Sequence, residues 1–198
     1  DERFVENYEQ NKPLLDIIDQ RLAEQGEAPL TFFEAFTALS FQLFADAPID
    51  VLVLEVGIGG EWDSTNVADG DVAVFTSIDL DHTKTLGDTV EEIAQTKAGI
   101  IKDKSVVVSS AQWESVEEII KGRATQEANF AGQAFELIGA QPDGYGTRFS
   151  VRGIAGNYPD LWMPIIGEHQ AENAATAIAA VEMFLGGRAI ADEVLRSA

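Results

Sequence analysis

The sequence has no cysteine, which excludes disulfides and thiolate metal sites. A cytoplasmic location fits that absence. Histidine occurs twice, at His82 and His169. Basic residues are scarce: 13 Lys and Arg stand against 34 Asp and Glu, a formal net charge of -21. A field of that sign repels phosphate backbones, so no nucleic-acid partner is expected. An anionic substrate would need a metal ion or a local basic cluster to offset the repulsion. No apolar run approaches the ~20 residues that span a bilayer, so no membrane partner is expected. No basic–apolar–small signal pattern opens the chain. Three catalytic signatures are also missing. There is no G-x-x-x-x-G-K-[ST] phosphate loop, no completed G-x-G-x-x-G because Trp62 stands where the third glycine belongs, and no G-x-S-x-G elbow.

What is present is an α/β pattern. Residues 12–25 carry Leu14, Ile17, Ile18 and Leu22 at helical spacing. Thr31 followed by Glu34 is a capping-box pair ahead of FFEAFTALSFQLFA, a helix apolar nearly all round and so expected to be buried. VLVLEVG, from Val51, reads as a strand of a parallel sheet covered on both faces. A glycine-rich turn, GIGGEWDSTN, leads to a second strand, VAVFTSI. Asp88 or Thr89 then caps a helix through about Ile101. SVVVSS is a third strand and ESVEEIIKGRATQE a further helix. That alternation predicts a mostly parallel sheet flanked by helices. From about residue 130 to 167, FELIGA, TRFSVRG and LWMPIIG read as short strands adding an antiparallel extension to that sheet. GEHQAENAATAIAAVEMFLGG is an alanine-rich helix with a glycine stop, and AIADEVLRSA begins another.

Two strand ends carry candidate chemistry. Glu55 places a carboxylate at the end of the first strand, and His82 follows the second. If those strands are neighbours, a carboxylate oxygen and a neutral imidazole converge, a reasonable donor pair for a divalent cation. Pairing with a lysine, or an ordinary loop hydrogen bond, are the competing readings. Gly57, Gly59 and Gly60 permit close backbone approach or simply a tight turn. Lys97 late in its helix and Asn173 inside another are polar positions with surface placement as the alternative.

In order, LTFFEAFTAL, LEVGIGGEWDSTNV, TSIDLDHTKTLGDTVEEIAQTKAGIIK and MPIIGEHQAENAATAIAA resemble the folylpolyglutamate synthase/dihydrofolate synthase family of the Mur-ligase superfamily. The blocks span roughly residues 30–180. The resemblance implies a P-loop-like central domain that binds ATP with Mg²⁺. It implies activation of a carboxylate as an acyl phosphate and amide formation with L-glutamate, the acceptor being dihydropteroate or a reduced folate. Glu55 and His82 match magnesium ligands, and Lys97 matches a lysine carbamylated by CO₂. Asn173 matches the residue that hydrogen-bonds adenine. Thr31, Phe32, Phe33 and Glu34 match a pterin-substrate segment, as do Trp62, Asp63 and Ser64. Glu61 departs from a basic residue frequent in the family. The resemblance further implies that residues 1–198 are an incomplete central domain, lacking the phosphate loop and the C-terminal glutamate-ligase domain, and inactive alone. A monomer is the expected state. The alternatives are a UDP-muramyl peptide Mur ligase and a non-catalytic binding module.

Overall fold

The computed structural model describes residues 2–197. They form two compact units. The first contains the residues up to Gly57 together with Asp63–Val67. The second contains Ile58–Trp62 and the residues from Ala68 onward.

In the first unit, helix α1 (Glu2–Glu24) is followed by α2 (Phe32–Ala45). The helix expected over residues 12–25 thus begins earlier and passes through Pro13. The Asp19 carboxylate accepts the Leu30 amide at 2.8 Å and fixes the turn between the helices. The capping box at the start of α2 forms as the sequence predicts. The Thr31 hydroxyl accepts the Glu34 amide (3.2 Å), and the Glu34 carboxylate accepts the Thr31 amide (2.7 Å).

Two expectations fail in this unit. α2 is not buried: only Thr37 and Leu39 are, and Phe32 is 83% exposed. An all-round apolar helix needs cover on every side, and here α1 supplies one side, through Phe4 against Phe36 at 5.5 Å. VLVLEVG is not a strand either. Apolar, β-branched residues favour an extended backbone, but a strand exists only where a ladder partner takes up its amides and carbonyls. Among the described residues none does so, and Val53 is 88% exposed.

The second unit holds two sheets. β1 (Val72–Phe75), β2 (Val106–Ser109) and β3 (Ala128–Phe130) are parallel, in that order. The short helices α3 (Thr83–Leu86) and α4 (Val90–Ala98) connect the first two, and α5 (Glu114–Arg123) connects the second pair. Ile93, Val116, Ile120 and Phe130 close one face as a core in which the first three are fully buried. Each such side chain contributes about 1.5–3 kcal/mol by leaving water. The spacing predicts α4 through about Ile101 and α5 over ESVEEIIKGRATQE. Both helices stop earlier, α4 at its Gly99 cap and α5 at Ala124, whose backbone is already extended.

β4 (Glu136–Asp143), β5 (Gly146–Arg152) and β6 (Asn157–Met163) pair antiparallel. They form a separate sheet, not an extension of the parallel one. Helix α6 (Glu168–Phe184) packs Ala171, Ala175, Ile178 and Ala179 with Phe149, Val151 and Leu161 of that sheet, and Val108 of β2 joins this core. The expected glycine stop follows: the Gly186 amide donates to Met183 O and the Gly187 amide to Glu182 O, both at 2.9 Å. α7 (Asp192–Ser197) comes last.

Candidate functional site

The first unit gathers the segments around Thr31 and Asp63. Glu34 is committed to the cap of α2, and its hydrogen bonds to Thr31 hold its carboxyl below the usual carboxylate range. Phe32 stacks on Phe36 at 5.6 Å with most of its ring in solvent. Phe33, Phe36, Thr37, Leu54, Glu55 and Thr65 line a cleft of about 160 Å³. Glu55 therefore sits at the rim of a mainly aromatic hollow, exposed. The cleft is smaller than the ~300–1,000 Å³ of typical small-molecule pockets.

Asp63 has a local task that the sequence did not reveal. One carboxylate oxygen accepts the Gly57 amide at 3.0 Å, and the other accepts the Thr65 amide (2.9 Å) and hydroxyl (2.6 Å). These bonds start the 3₁₀ turn Ser64–Val67, which opens with Ser64. The signal was the D-S-T run, in which Asp typically bonds the backbone two residues on.

The second unit holds His82, Lys97, Asn173 and Trp62. His82 caps α3 from a left-handed conformation (φ 50°, ψ 36°). Its amide donates to the Asp81 carboxylate at 2.7 Å, and its Nε2 lies 3.6 Å from the other Asp81 oxygen. A non-glycine residue held at positive φ is uncommon, and such outliers concentrate at functional sites. Upstream, Gln112 clamps the loop leaving β1. Its amide group donates to Thr76 O (2.8 Å) and its carbonyl accepts the Ile78 amide (2.9 Å). No sequence pattern distinguishes that glutamine from a surface one.

Lys97 is half-buried in the last turn of α4. Asn173 is exposed on α6, four residues after His169, so both lie on one helix face. Trp62 is 72% exposed. Glu55 and His82 fall in different units, and no strand carries Glu55. Among the described residues no three acidic or imidazole side chains cluster as a ready metal cage.

The family model for the Mur ligase middle domain matches residues 17–181. A dihydrofolate synthase/folylpolyglutamate synthase of Mycobacterium tuberculosis is 39% identical over 199 residues, which cover 94% of this chain and 41% of the relative. Its Bacillus subtilis counterpart is 36% identical over 204 residues, with 100% and 46% covered. The chain thus spans less than half the length of these relatives. Among solved structures, a folylpolyglutamate synthase of Mycobacterium tuberculosis complexed with ADP superposes with a TM-score of 0.90 at 37% identity, over 98% of this chain and 44% of that one. A complex of FPGS with AMPPCP and folate gives 0.87 at 31% identity, with 97% and 47% covered.

Proposed function

The chain belongs to the Mur ligase middle-domain family, and from that premise we propose that it is part of an ATP-dependent ligase joining L-glutamate to dihydropteroate, to folylpolyglutamates, or to both. The observation that carries this reading is likeness over nearly the whole chain to a folylpolyglutamate synthase complexed with ADP. The relative bound to AMPPCP and folate supports nucleotide and folate as ligands. Nothing among these neighbours favours a UDP-muramyl substrate.

The residues present have the donor chemistry for magnesium. Glu55 offers an exposed carboxylate, the hard oxygen donor that magnesium prefers, and His82 an exposed imidazole, a borderline donor that fits only where phosphate and water oxygens complete the shell. When bound, such a cation neutralises phosphate charge and polarises the transferring phosphoryl group. In the proposed reaction a substrate carboxylate attacks the γ-phosphorus of ATP and ADP leaves. The glutamate amine then attacks the acyl phosphate, and phosphate departs as the amide forms. Lys97 contributes as a carbamate: its neutral amine adds to CO₂ with loss of a proton, and a cation becomes an anion able to orient the metal. Asn173 binds the adenine. Phe32 and Phe33 offer aromatic faces to a flat pterin, with Thr31, Glu34, Asp63 and Ser64 shaping the first unit around them, and Trp62, in the second unit, offers a further aromatic face. For Glu34 and Asp63 that shaping acts through the chain segments they fix.

The test is ADP release by a ligase of the relatives' length that contains this chain. Release that requires both glutamate and a reduced pterin or folate is the expected result. Release that occurs only with a UDP-muramyl precursor would sink the folate reading.

A further inference from the structure

From sequence, the glycine turn GIGG allowed either close approach to a ligand or tight folding. We infer that it is a packing seam that fixes the main chain of α4 at Lys97, with Gly60 and Gly99 as positioning residues for that lysine. The inference rests on the proposed role of Lys97.

The observations come from the second unit. Ile58–Trp62 belong to that unit, although the residues on either side of them do not. Gly59 and Gly60 are buried. The Glu61 amide donates to Thr96 O at 3.0 Å and shares that carbonyl with the Gly99 amide (3.2 Å), so the turn is bonded directly to the C-terminal cap of α4. A methyl group on Gly60 would stand 2.9 Å from both Lys97 O and Thr96 O. These are backbone atoms that no rotamer change can move. From the opposite side, a methyl on Gly99 would meet Cα of Glu61 at 2.7 Å and clash harder still with its Cβ. The turn and the end of α4 therefore touch backbone to backbone, on both sides of Lys97. Gly60 also has φ +156°, at the edge of the range that L side chains avoid.

Gly60 is buried against the Thr96 and Lys97 carbonyls and presents little surface to a ligand. The contact gives the turn a different task. A lysine at a helix end frays with its last turn, and here that turn is held by a second segment. The buried Thr96, whose hydroxyl bonds back to Glu92 O (3.3 Å), anchors the same turn from within the helix.

The test reads Lys97 itself, by mass spectrometry of its acylation rate with a small anhydride in the 198-residue chain. Lys121, paired with Glu117 at 2.7 Å on α5, is the internal reference. Gly60→Ala and Gly99→Ala are expected to change the Lys97 rate roughly threefold or more while Lys121 holds, because local opening is confined to the seam. Gly122→Ala, with nothing near its added methyl, is the control and leaves both rates alone. Folded variants with a wild-type Lys97 rate, or with Lys97 and Lys121 shifted equally, would overturn the seam. Should both alanine variants fail to fold, Glu61→Gly decides. It removes the Cβ that Gly99 accommodates and loosens the turn, so a moved Lys97 rate supports the seam and an unmoved one refutes it. Turnover plays no part in this readout. A Lys97→Ala ligase with full activity would end the proposed role of the lysine and leave the seam standing.

Discussion

Glu182 is fully buried in α6, and among the described residues no basic side chain pairs with it. Its charge is met by the amides of Ile154 (2.6 Å) and Gly156 (2.8 Å) and by the Tyr158 hydroxyl (2.7 Å). Tyr158 in turn accepts the Ile190 amide at 2.9 Å, so one carboxylate ties the β5–β6 turn, α6 and the segment after it. Glutamine has the same shape, but its NH₂ would face a donor. Glu182→Gln is therefore expected to cost about 1–3 kcal/mol, read as a lower melting temperature. An unchanged melt would show that the amides find other partners. Burial, then the neighbouring Glu182, pushes the Tyr158 hydroxyl up to about 12. A raised value means that the folded state holds the proton more tightly. The stabilisation is complete below the unfolded value near 10 and disappears as pH rises through about 12. Tyr158→Phe should remove that alkaline part of the stability profile, and a wild-type profile in the variant would contradict the assignment. The sequence did carry a hint of Glu182. It follows Ile178 and Ala179 at helical spacing, on the buried face, where a lone acid needs a reason. Asp63 and Gln112 gave no such hint of their distant partners, because Gly57, Thr76 and Ile78 meet them only after the loops fold.

At the scale of elements, the capping boxes were the most legible features. Thr31 with Glu34 forms as spaced, and of the two candidate caps Asp88 and Thr89 it is Thr89 that caps, in a box with Glu92. Their signal lies within four residues and needs no tertiary contact. Thr31→Ala should weaken α2 by about 1 kcal/mol, measured by chemical denaturation. The Glu34 carboxyl is held low, so its contribution is present above the ordinary carboxylate range and fades as pH falls through its lowered value. The difference between wild type and Thr31→Ala should therefore shrink in acid. A difference that stays constant would remove Glu34 from the cap. In α5, Gly122 has open space around it, so Gly122→Ala should stabilise by about 0.4–1 kcal/mol. Strands were less legible. VVVS and VAVF became β2 and β1, whereas the equally apolar VLVLEVG has no strand partner among the described residues. Strand identity depends on a partner, and composition records only the preference for extension.

For the whole molecule, β1, β2, the antiparallel strands and α6 followed from periodicity, β3 did not because Ala128–Phe130 is too short to carry a pattern, and the family followed from ordered motifs. The separation into two sheets did not follow, because sheet membership is decided by non-local pairing. The sequence contains no phosphate loop, whose amides and lysine cradle nucleotide phosphates. Titration calorimetry of the 198-residue chain with Mg-ATP should accordingly show no micromolar binding. A micromolar isotherm would mean that other groups of this chain grip the phosphates.

The most direct measurement of the central proposal is the mass of the pterin product. A ligase of the relatives' length containing this chain, given ATP, magnesium, glutamate and, in separate reactions, dihydropteroate or a reduced folylglutamate, should return with at least one of them a product heavier by one glutamyl residue. Glu55→Ala and His82→Ala should abolish that gain. No gain with the unmodified ligase, or a gain that survives both substitutions, would contradict the account.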